Sequence, residues 1–286
     1  MNWWEAAVLG VVQGLTEFLP ISSSAHVRVI GALLPNGTDP GAAFTAVIQI
    51  GTEAAVLWYF RHDIARIIGS WYRALVGRDG TDRAARFGAH NADARLGWWV
   101  ILGSFPIVIL GVLFKDSIES SLRNLWIVAA VLAGFALVLL WADRIGAKRR
   151  ELDSLRARDA VVLGLAQAAA LVPGVSRSGG TISAGLFLGL SRIAAARYSF
   201  LLAIPAVLGS GVYELLGSRD EITAAGGPGL VNTAIAALIA FAVGYGVIVW
   251  FLRMLTTRSF APFVVYRWLF AAAIVALILT NTIPVR

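Results

Sequence analysis

The chain has no cysteine among its 286 residues. That excludes a disulfide framework, a zinc–thiolate site, an iron–sulfur cluster and a cysteine nucleophile. Histidine is nearly as scarce, with only His26, His62 and His90. Charge is scarce too: 14% of residues are Asp, Glu, Lys or Arg, where a soluble domain carries roughly 25%. Apolar residues make up 58%, and mean hydropathy is +0.75. A soluble core of this length cannot absorb so much apolar surface, and a disordered chain needs the opposite composition. The sequence therefore reads as a polytopic membrane protein, with chemistry drawn from Ser, Thr, His, Asp, Glu, Lys or Arg. The net charge of +7 fits basic loops on one side of a membrane, so no nucleic-acid partner is expected. The N-terminal stretch lacks a basic leader and a small-residue cleavage site and carries Glu5 and Glu17, which argues against a cleaved signal peptide.

A spanning helix needs about 20 mostly apolar residues. Six segments meet or approach this: 42–60, 97–114, 125–141, 198–216, 231–252 and 266–284. Two further apolar regions, 5–34 and 160–190, are broken near their centres by Pro and small polar residues. The first break is Pro20-Ile21-Ser22-Ser23-Ser24-Ala25-His26; the second is Pro173-Gly174-Val175-Ser176-Arg177-Ser178-Gly179-Gly180-Thr181. Lipid cannot satisfy the backbone freed by such breaks, so they must be buried in protein or line a wet cavity. Both regions read as re-entrant helix–loop–helix hairpins. Leu9, Gly10 and Gln13 recur as Leu163, Gly164 and Gln167 at an offset of 154, and Pro20 and Ser23 align with Pro173 and Ser176 at 153. Each hairpin is followed by three spans, which divides a single membrane domain (1–286) into repeats of about 1–141 and 160–286. Three is odd, so the second repeat is inverted and the two breaks meet near the midplane. The expected fold is thus an all-α integral membrane protein, with six transmembrane helices and two re-entrant hairpins in an inverted-topology repeat.

Placing 61–96 in the cytoplasm puts 18 Lys and Arg on that side, Arg267 included, against Arg28, Lys115, Arg123, Arg219 and Arg286 opposite. This asymmetry sets the orientation and makes both termini extracytoplasmic. The linker 73–95 reads as a flexible cytoplasmic loop.

Gln13 and Glu17, four apart, share one helix face. An ionisable group at that depth is a functional candidate by default, although a structural Glu with a polar partner is the simpler alternative. Ser22, Ser23 and Ser24 alone are suited to capping the next helix. With Glu17 upstream and His26 downstream, the stretch also combines a nucleophile, a proton carrier and an orienting or metal-binding carboxylate. The second break is rich in glycine and hydroxyls, which lets backbone N–H groups converge on an anion. Arg177 adds a planar fork suited to phosphate, or else pairs with Glu17 across the repeat interface. Glu53 is intramembrane and lies where it can line the same cavity. His62 and His90 read as solvated.

The stretch from Gln13 through Glu17, Pro20 and Ser22 to His26 resembles the first signature of the bacitracin-resistance family of undecaprenyl-diphosphatases: an (E/Q)xxxE motif, then Pro, a Ser/Thr cluster and His. Pro173 to Thr181 resembles its second, PGxSRSxxT. The order and separation also match, and the likeness covers nearly the whole chain. Gln13 stands where many relatives have Glu, which weakens a two-carboxylate metal site, and Ala25 stands where they often have Gly. The resemblance implies hydrolysis of undecaprenyl diphosphate to undecaprenyl phosphate and inorganic phosphate. That reaction recycles the carrier lipid for peptidoglycan and confers bacitracin resistance. It further implies a bacterial plasma-membrane location and a site open to the extracytoplasmic side.

On this reading the catalytic residues are Glu17, Ser23, His26 and Arg177. Ser23 is the preferred nucleophile, with His26 left open as the alternative. Gln13, Ser22, Ser24, Gly174, Ser176, Ser178 and Thr181 contact substrate. Glu17 is the one firm carboxylate for a divalent cation, magnesium or calcium. The partner is a polyprenyl diphosphate lipid, and a homodimer is left open. The rival is a polyprenyl-phosphate flippase or anion transporter on the same fold. Such a protein needs Arg177 and the hydroxyls, but no nucleophile beside a Glu and a His.

Overall fold

In lipid every backbone N–H and C=O must be satisfied within its own segment or a neighbouring one, which makes helices the natural answer to this composition. The computed structural model describes residues 1–35, 41–114, 118, 121–217 and 227–285. Lys115, Arg219 and Arg286 of the charge count lie outside the described residues. The chain opens with a hairpin of α1 (Trp3–Thr16) and α2 (Ser23–Leu33), followed by α3 (Gly41–Tyr59), α4 (Arg61–Leu75), the short α5 (Arg83–Arg86), α6 (Ala92–Leu113) and α7 (Leu125–Ile145). A second hairpin, α8 (Ala157–Ala168) and α9 (Arg177–Phe187), precedes α10 (Arg192–Gly217), α11 (Leu230–Met254) and α12 (Ala261–Leu279).

Five helices, α6, α7, α10, α11 and α12, are long and apolar enough to cross a membrane, and α3 qualifies together with α4, which bends away by 77°. Each expected span therefore has its helix. Their outer faces carry exposed Phe105, Val112, Leu137, Leu216, Leu238 and Leu269, an apolar belt that suits lipid rather than water. The hairpin helices are shorter. At about 1.5 Å per residue, α1 and α2 rise about 21 and about 16 Å, short of a hydrocarbon core of about 30 Å. Neither hairpin helix crosses alone.

The linker 73–95, expected as a flexible loop, is held by specific contacts, and so is α4 before it. α4 is amphipathic and buries Ile67, Ser70 and Ala74. Asp63 binds Arg197 of α10 at 2.7 Å, and Arg66 bridges to Asp93 of α6 at 2.9 Å. Asp82 caps α5 through the Ala85 N–H, and Arg95 donates to the carbonyls of Gly88 and Ala89.

Each hairpin packs against the other half of the chain: α1 lies on α11, and α8 lies on α6. Glycine permits both close approaches. A Cβ at Gly10 would come within 2.5 Å of the Ala236 carbonyl, and one at Gly164 within 3.0 Å of the Gly103 carbonyl carbon. The helices that follow the two breaks start in one register. Ser22 and Ser176 both have φ of 71° and both precede an 11-residue helix. Ser22 therefore corresponds to Ser176 and Ser23 to Arg177, at the offset of 154, so the sequence pairing of Ser23 with Ser176 is one residue out.

Arg267 also departs from expectation. The charge count put it in the cytoplasm at the edge of a span drawn from 266. α12 instead begins at Ala261, and Arg267 lies inside it, 0% exposed.

Candidate active site

Helix α1 continues through Glu17, whose N–H reaches the Gln13 carbonyl at 3.0 Å. Phe18 follows, fully buried edge-on against Phe200 at 5.2 Å, and anchors the backbone beside Glu17. The chain then turns tightly, with the Ile21 N–H on the Leu19 carbonyl at 2.7 Å, into left-handed Ser22. In the second break Gly174 has φ of +100°, and Ser176 is left-handed as well. A left-handed conformation in a residue with a side chain costs roughly 1–2 kcal/mol, so both breaks need external support.

Arg267 supplies it. Its Nη1 donates to the carbonyls of Pro20 at 3.0 Å and Val175 at 3.1 Å, its Nη2 to Gly174 at 2.7 Å, and its Nε to Leu132 of α7 at 3.0 Å. One guanidinium thus binds both breaks at once. Ser178 adds a second tie, donating to the Leu19 carbonyl at 2.9 Å.

Held this way, the two breaks meet at Glu17. Its Oε2 accepts from Gln13 Nε2 at 2.7 Å and from Ser23 Oγ at 2.5 Å, while Oε1 accepts from Arg177 Nη2 at 2.5 Å. Arg177 Nη1 lies 3.9 Å from Glu53 Oε2 of α3. Gln13, Glu17 and Glu53 are buried, Ser23 is half-buried and Ser24 is exposed. The Arg177 side chain is 15% exposed. The site therefore has an acidic floor and an open mouth formed by hydroxyl and guanidinium. A hydroxyl held by a carboxylate is a nucleophile with its base in place, and the adjacent fork matches a phosphate.

His26 is placed differently. Its Nδ1 lies 2.8 Å from the Ser22 carbonyl, which can only accept, so Nδ1 donates. Its Nε2 is 2.8 Å from the Tyr266 hydroxyl, and the ring stacks on Phe270 at 3.8 Å. Both ring nitrogens are engaged, so His26 is not the base at Ser23 in this arrangement. The other expected contacts are mostly turned inward. Ser176 Oγ accepts from the Gly179 N–H at 3.2 Å and lies 3.1 Å from Ser178 Oγ. Thr181, fully buried, shares a 2.5 Å bond with Ser199 and donates to the Arg177 carbonyl. The Gly174 carbonyl is held by Arg267. Ser22 and Ser24 hydroxyls lie 3.3 Å apart. Ser23, Ser24 and Arg177 thus form the accessible surface, while Gly174, Ser176, Ser178 and Thr181 maintain the loop.

The sequence reading missed the positions of Arg267 and Tyr266. The signal was a lone Arg within an apolar run extending back to Ala261, obscured by starting the span at 266. His62 and His90 are exposed, as expected.

A family model described as bacitracin resistance protein BacA matches residues 6–273. An undecaprenyl-diphosphatase of Paenarthrobacter aurescens (strain TC1) is 56% identical over 283 residues, covering 99% of both chains. Undecaprenyl-diphosphatase 2 of Agrobacterium fabrum (strain C58) is 57% identical, covering 99% of this chain and 98% of that protein. An undecaprenyl-diphosphatase of Bifidobacterium adolescentis is 50% identical, covering 98% and 95%.

Proposed function

The chain belongs to the bacitracin resistance protein family, and on that premise we propose that the cluster around Glu17 and Arg177 is its hydrolytic centre. The protein is a membrane-embedded enzyme that hydrolyses undecaprenyl diphosphate to undecaprenyl phosphate and inorganic phosphate. The observation that carries the site assignment is the convergence of Ser23 and Arg177, from two breaks 154 residues apart, on Glu17.

Arg177 exchanges Glu17 for the terminal phosphate and neutralises charge as it develops. Ser23 Oγ attacks the terminal phosphorus and passes its proton to Glu17 Oε2, 2.5 Å away. The bond from that phosphorus to the bridging oxygen breaks, Glu17 hands the proton on to that oxygen, and undecaprenyl phosphate leaves, with Glu17 again a carboxylate. Water, deprotonated by Glu17, then attacks the phosphoserine phosphorus; inorganic phosphate departs and Ser23 regains its proton. Ser24 and Arg177 line the entrance. His26 acts through Tyr266, or on leaving-group protons after a rearrangement of its ring. Glu17 would hold a divalent cation, magnesium or calcium, which supplies further neutralisation of phosphate charge. The buried Gln13 Oε1 nearby, without a hydrogen-bond partner among the described residues, fits such a hard-oxygen site.

We place the protein in the bacterial plasma membrane with its site open to the extracytoplasmic side. The strong Arg bias of 61–96 supports that orientation, and the cross-packing of each hairpin on the opposite half supports an inverted repeat. A homodimer is compatible with this arrangement and is tested by mass measurement in detergent. The reaction is tested with purified protein and undecaprenyl diphosphate, comparing wild type with Glu17→Ala, Ser23→Ala, His26→Ala and Arg177→Ala, with and without EDTA. Phosphate release lost in Glu17→Ala, Ser23→Ala and Arg177→Ala but retained in His26→Ala supports the Ser23 route. Loss in His26→Ala with retention in Ser23→Ala assigns the nucleophile to His26. Folded wild type that binds the lipid without releasing phosphate makes the flippase reading the better one.

A further inference from the structure

Glu53 takes part in none of these steps. It sits within α3, 1% exposed, and among the described residues neither of its carboxylate oxygens has a hydrogen-bond partner. Arg177 Nη1, 3.9 Å away, is beyond hydrogen-bonding range and is itself unpartnered. Gln13, 0% exposed, leaves Oε1 without a hydrogen-bond partner among the described residues as well. Three buried oxygens therefore stand unused around the Glu17–Arg177 pair. A buried carboxylate without partners is costly, and such orphaned groups in a native structure point to an ion or ligand that completes them.

We propose that Glu53 is the second carboxylate of a divalent-cation site shared with Glu17, with Gln13 Oε1 as a further oxygen donor. Arg177, in reach of both carboxylates, stands in for the cation until a diphosphate draws its guanidinium away. The proposal rests on the diphosphatase reading for its remaining ligands, the phosphate oxygens. Among the described residues no three His, Cys, Asp or Glu side chains form a cage. A magnesium-type cation needs none, because one or two carboxylates plus substrate phosphates suffice to hold it. Charge leads to the same conclusion. Two carboxylates and one guanidinium leave a net negative site, and a diphosphate brought beside it needs a further positive charge. Glu53 thus supplies, from α3, the second carboxylate that position 13 lacks.

The test uses the full-length protein in detergent, Mn²⁺ as the spectroscopic cation and methylenediphosphonate as a headgroup probe that cannot be hydrolysed. Electron paramagnetic resonance is expected to show Mn²⁺ immobilised by wild type plus the probe. Glu53→Gln is expected to weaken that binding at least tenfold. Adding Gln13→Glu to Glu53→Gln is expected to recover most of it. Without cation, Glu53→Gln is expected to melt at or above the wild-type temperature, because it removes a buried carboxylate that no hydrogen bond satisfies; a purely structural Glu53 would lower it. Mn²⁺ affinity of Glu53→Gln within twofold of wild type overturns the proposal. Should Glu53→Gln fail to fold, Glu53→Leu, which also lacks a carboxylate and suits an apolar helix, takes its place, and an unchanged Mn²⁺ affinity there overturns the proposal equally. Wild-type phosphate release is measured in parallel. Its absence alongside Glu53-dependent Mn²⁺ binding counts against the diphosphatase reading and leaves the cation site standing.

Discussion

Arg267→Met tests whether one buried guanidinium holds the two breaks together. The substitution keeps much of the side-chain length and removes four hydrogen bonds to the carbonyls of Leu132, Pro20, Val175 and Gly174. Hydrogen bonds made by charged groups contribute about 1.5 kcal/mol or more each, so the loss amounts to about 6 kcal/mol. That is comparable to the whole stability of many domains, about 5–15 kcal/mol. Arg267→Met is therefore expected to yield little folded protein, or protein with a much lower melting temperature by thermal size-exclusion in detergent. Arg267→Lys separates folding from positioning. It keeps the charge but not the fork, so it cannot reach carbonyls on both breaks and α7 in the same geometry. It is expected to fold and to lose at least tenfold in kcat, since a displacement of about 1 Å at a reacting group costs about 10²-fold. Its KM is expected to change less. If Arg267→Met melts within about 2 °C of wild type and turns over normally, the stapling argument is wrong.

Other perturbations separate the roles of neighbouring groups. Glu17→Gln preserves shape but removes the base and the ion pair, so phosphate release is expected to fall at least about 10²-fold while the fold persists; undiminished release would remove Glu17 from the chemistry. Arg177→Lys keeps the charge and loses the fork, with an expected loss of about 10²-fold in kcat/KM. Tyr266→Phe leaves His26 Nε2 without its partner at 2.8 Å; less than a tenfold loss is expected if Ser23 attacks, and a loss as large as that of Ser23→Ala would put His26 on the reaction path. Gly164→Val forces a side chain into the Gly103 backbone, with an expected stability cost of about 1–3 kcal/mol, read as a lower melting temperature with kcat little changed in the surviving folded fraction.

Span number and the residues of the two breaks were legible in the sequence because lipid imposes coarse rules. A run of about 20 apolar residues has the length of a bilayer's hydrocarbon core and suits little else, and polar residues at membrane depth stand out against it. Glu17, Ser23 and Arg177 could be singled out in that way, and they converge in the structure. What the sequence concealed depended on partners distant along the chain. Arg267 looked like a flanking charge because its four carbonyl partners come from α7 and from both breaks. His26 looked like a neighbour of Ser23, yet α2 turns it toward Tyr266 and Phe270. The hydroxyls of Ser176, Ser178 and Thr181 looked like ligands for an anion. Composition cannot tell a hydroxyl that faces substrate from one that holds its own loop together. The linker 73–95 looked like a flexible loop because it is rich in Arg, Asp and Gly, but Asp82 caps α5, Asp93 pairs with Arg66, and Arg95 binds the Gly88 and Ala89 carbonyls.

The shared register of the two breaks explains how such similar loops make an asymmetric site. In each, a left-handed serine launches a short helix, so the next residue is presented to the centre in the same way. In the first break that residue is Ser23 and in the second it is Arg177, and both reach the carboxylate of Glu17 at 2.5 Å, Ser23 at Oε2 and Arg177 at Oε1. Two copies carrying serine would provide two nucleophiles and nothing to bind an anion. Two copies carrying arginine would bind the anion and leave it unreacted. A diphosphate ester has two unlike ends, and its terminal phosphorus must meet the nucleophile while the charge around it is neutralised. Exchanging Ser23 and Arg177 in a double variant keeps composition and net charge but moves each group to the other side of Glu17. If the backbone equivalence is as close as the matching φ values indicate, the exchanged protein is expected to fold. It is also expected to lose phosphate release, since Gln13, Glu53 and the mouth of the site do not exchange with them. Wild-type turnover in that double variant would show that the placement of the two groups around Glu17 is not what the reaction depends on.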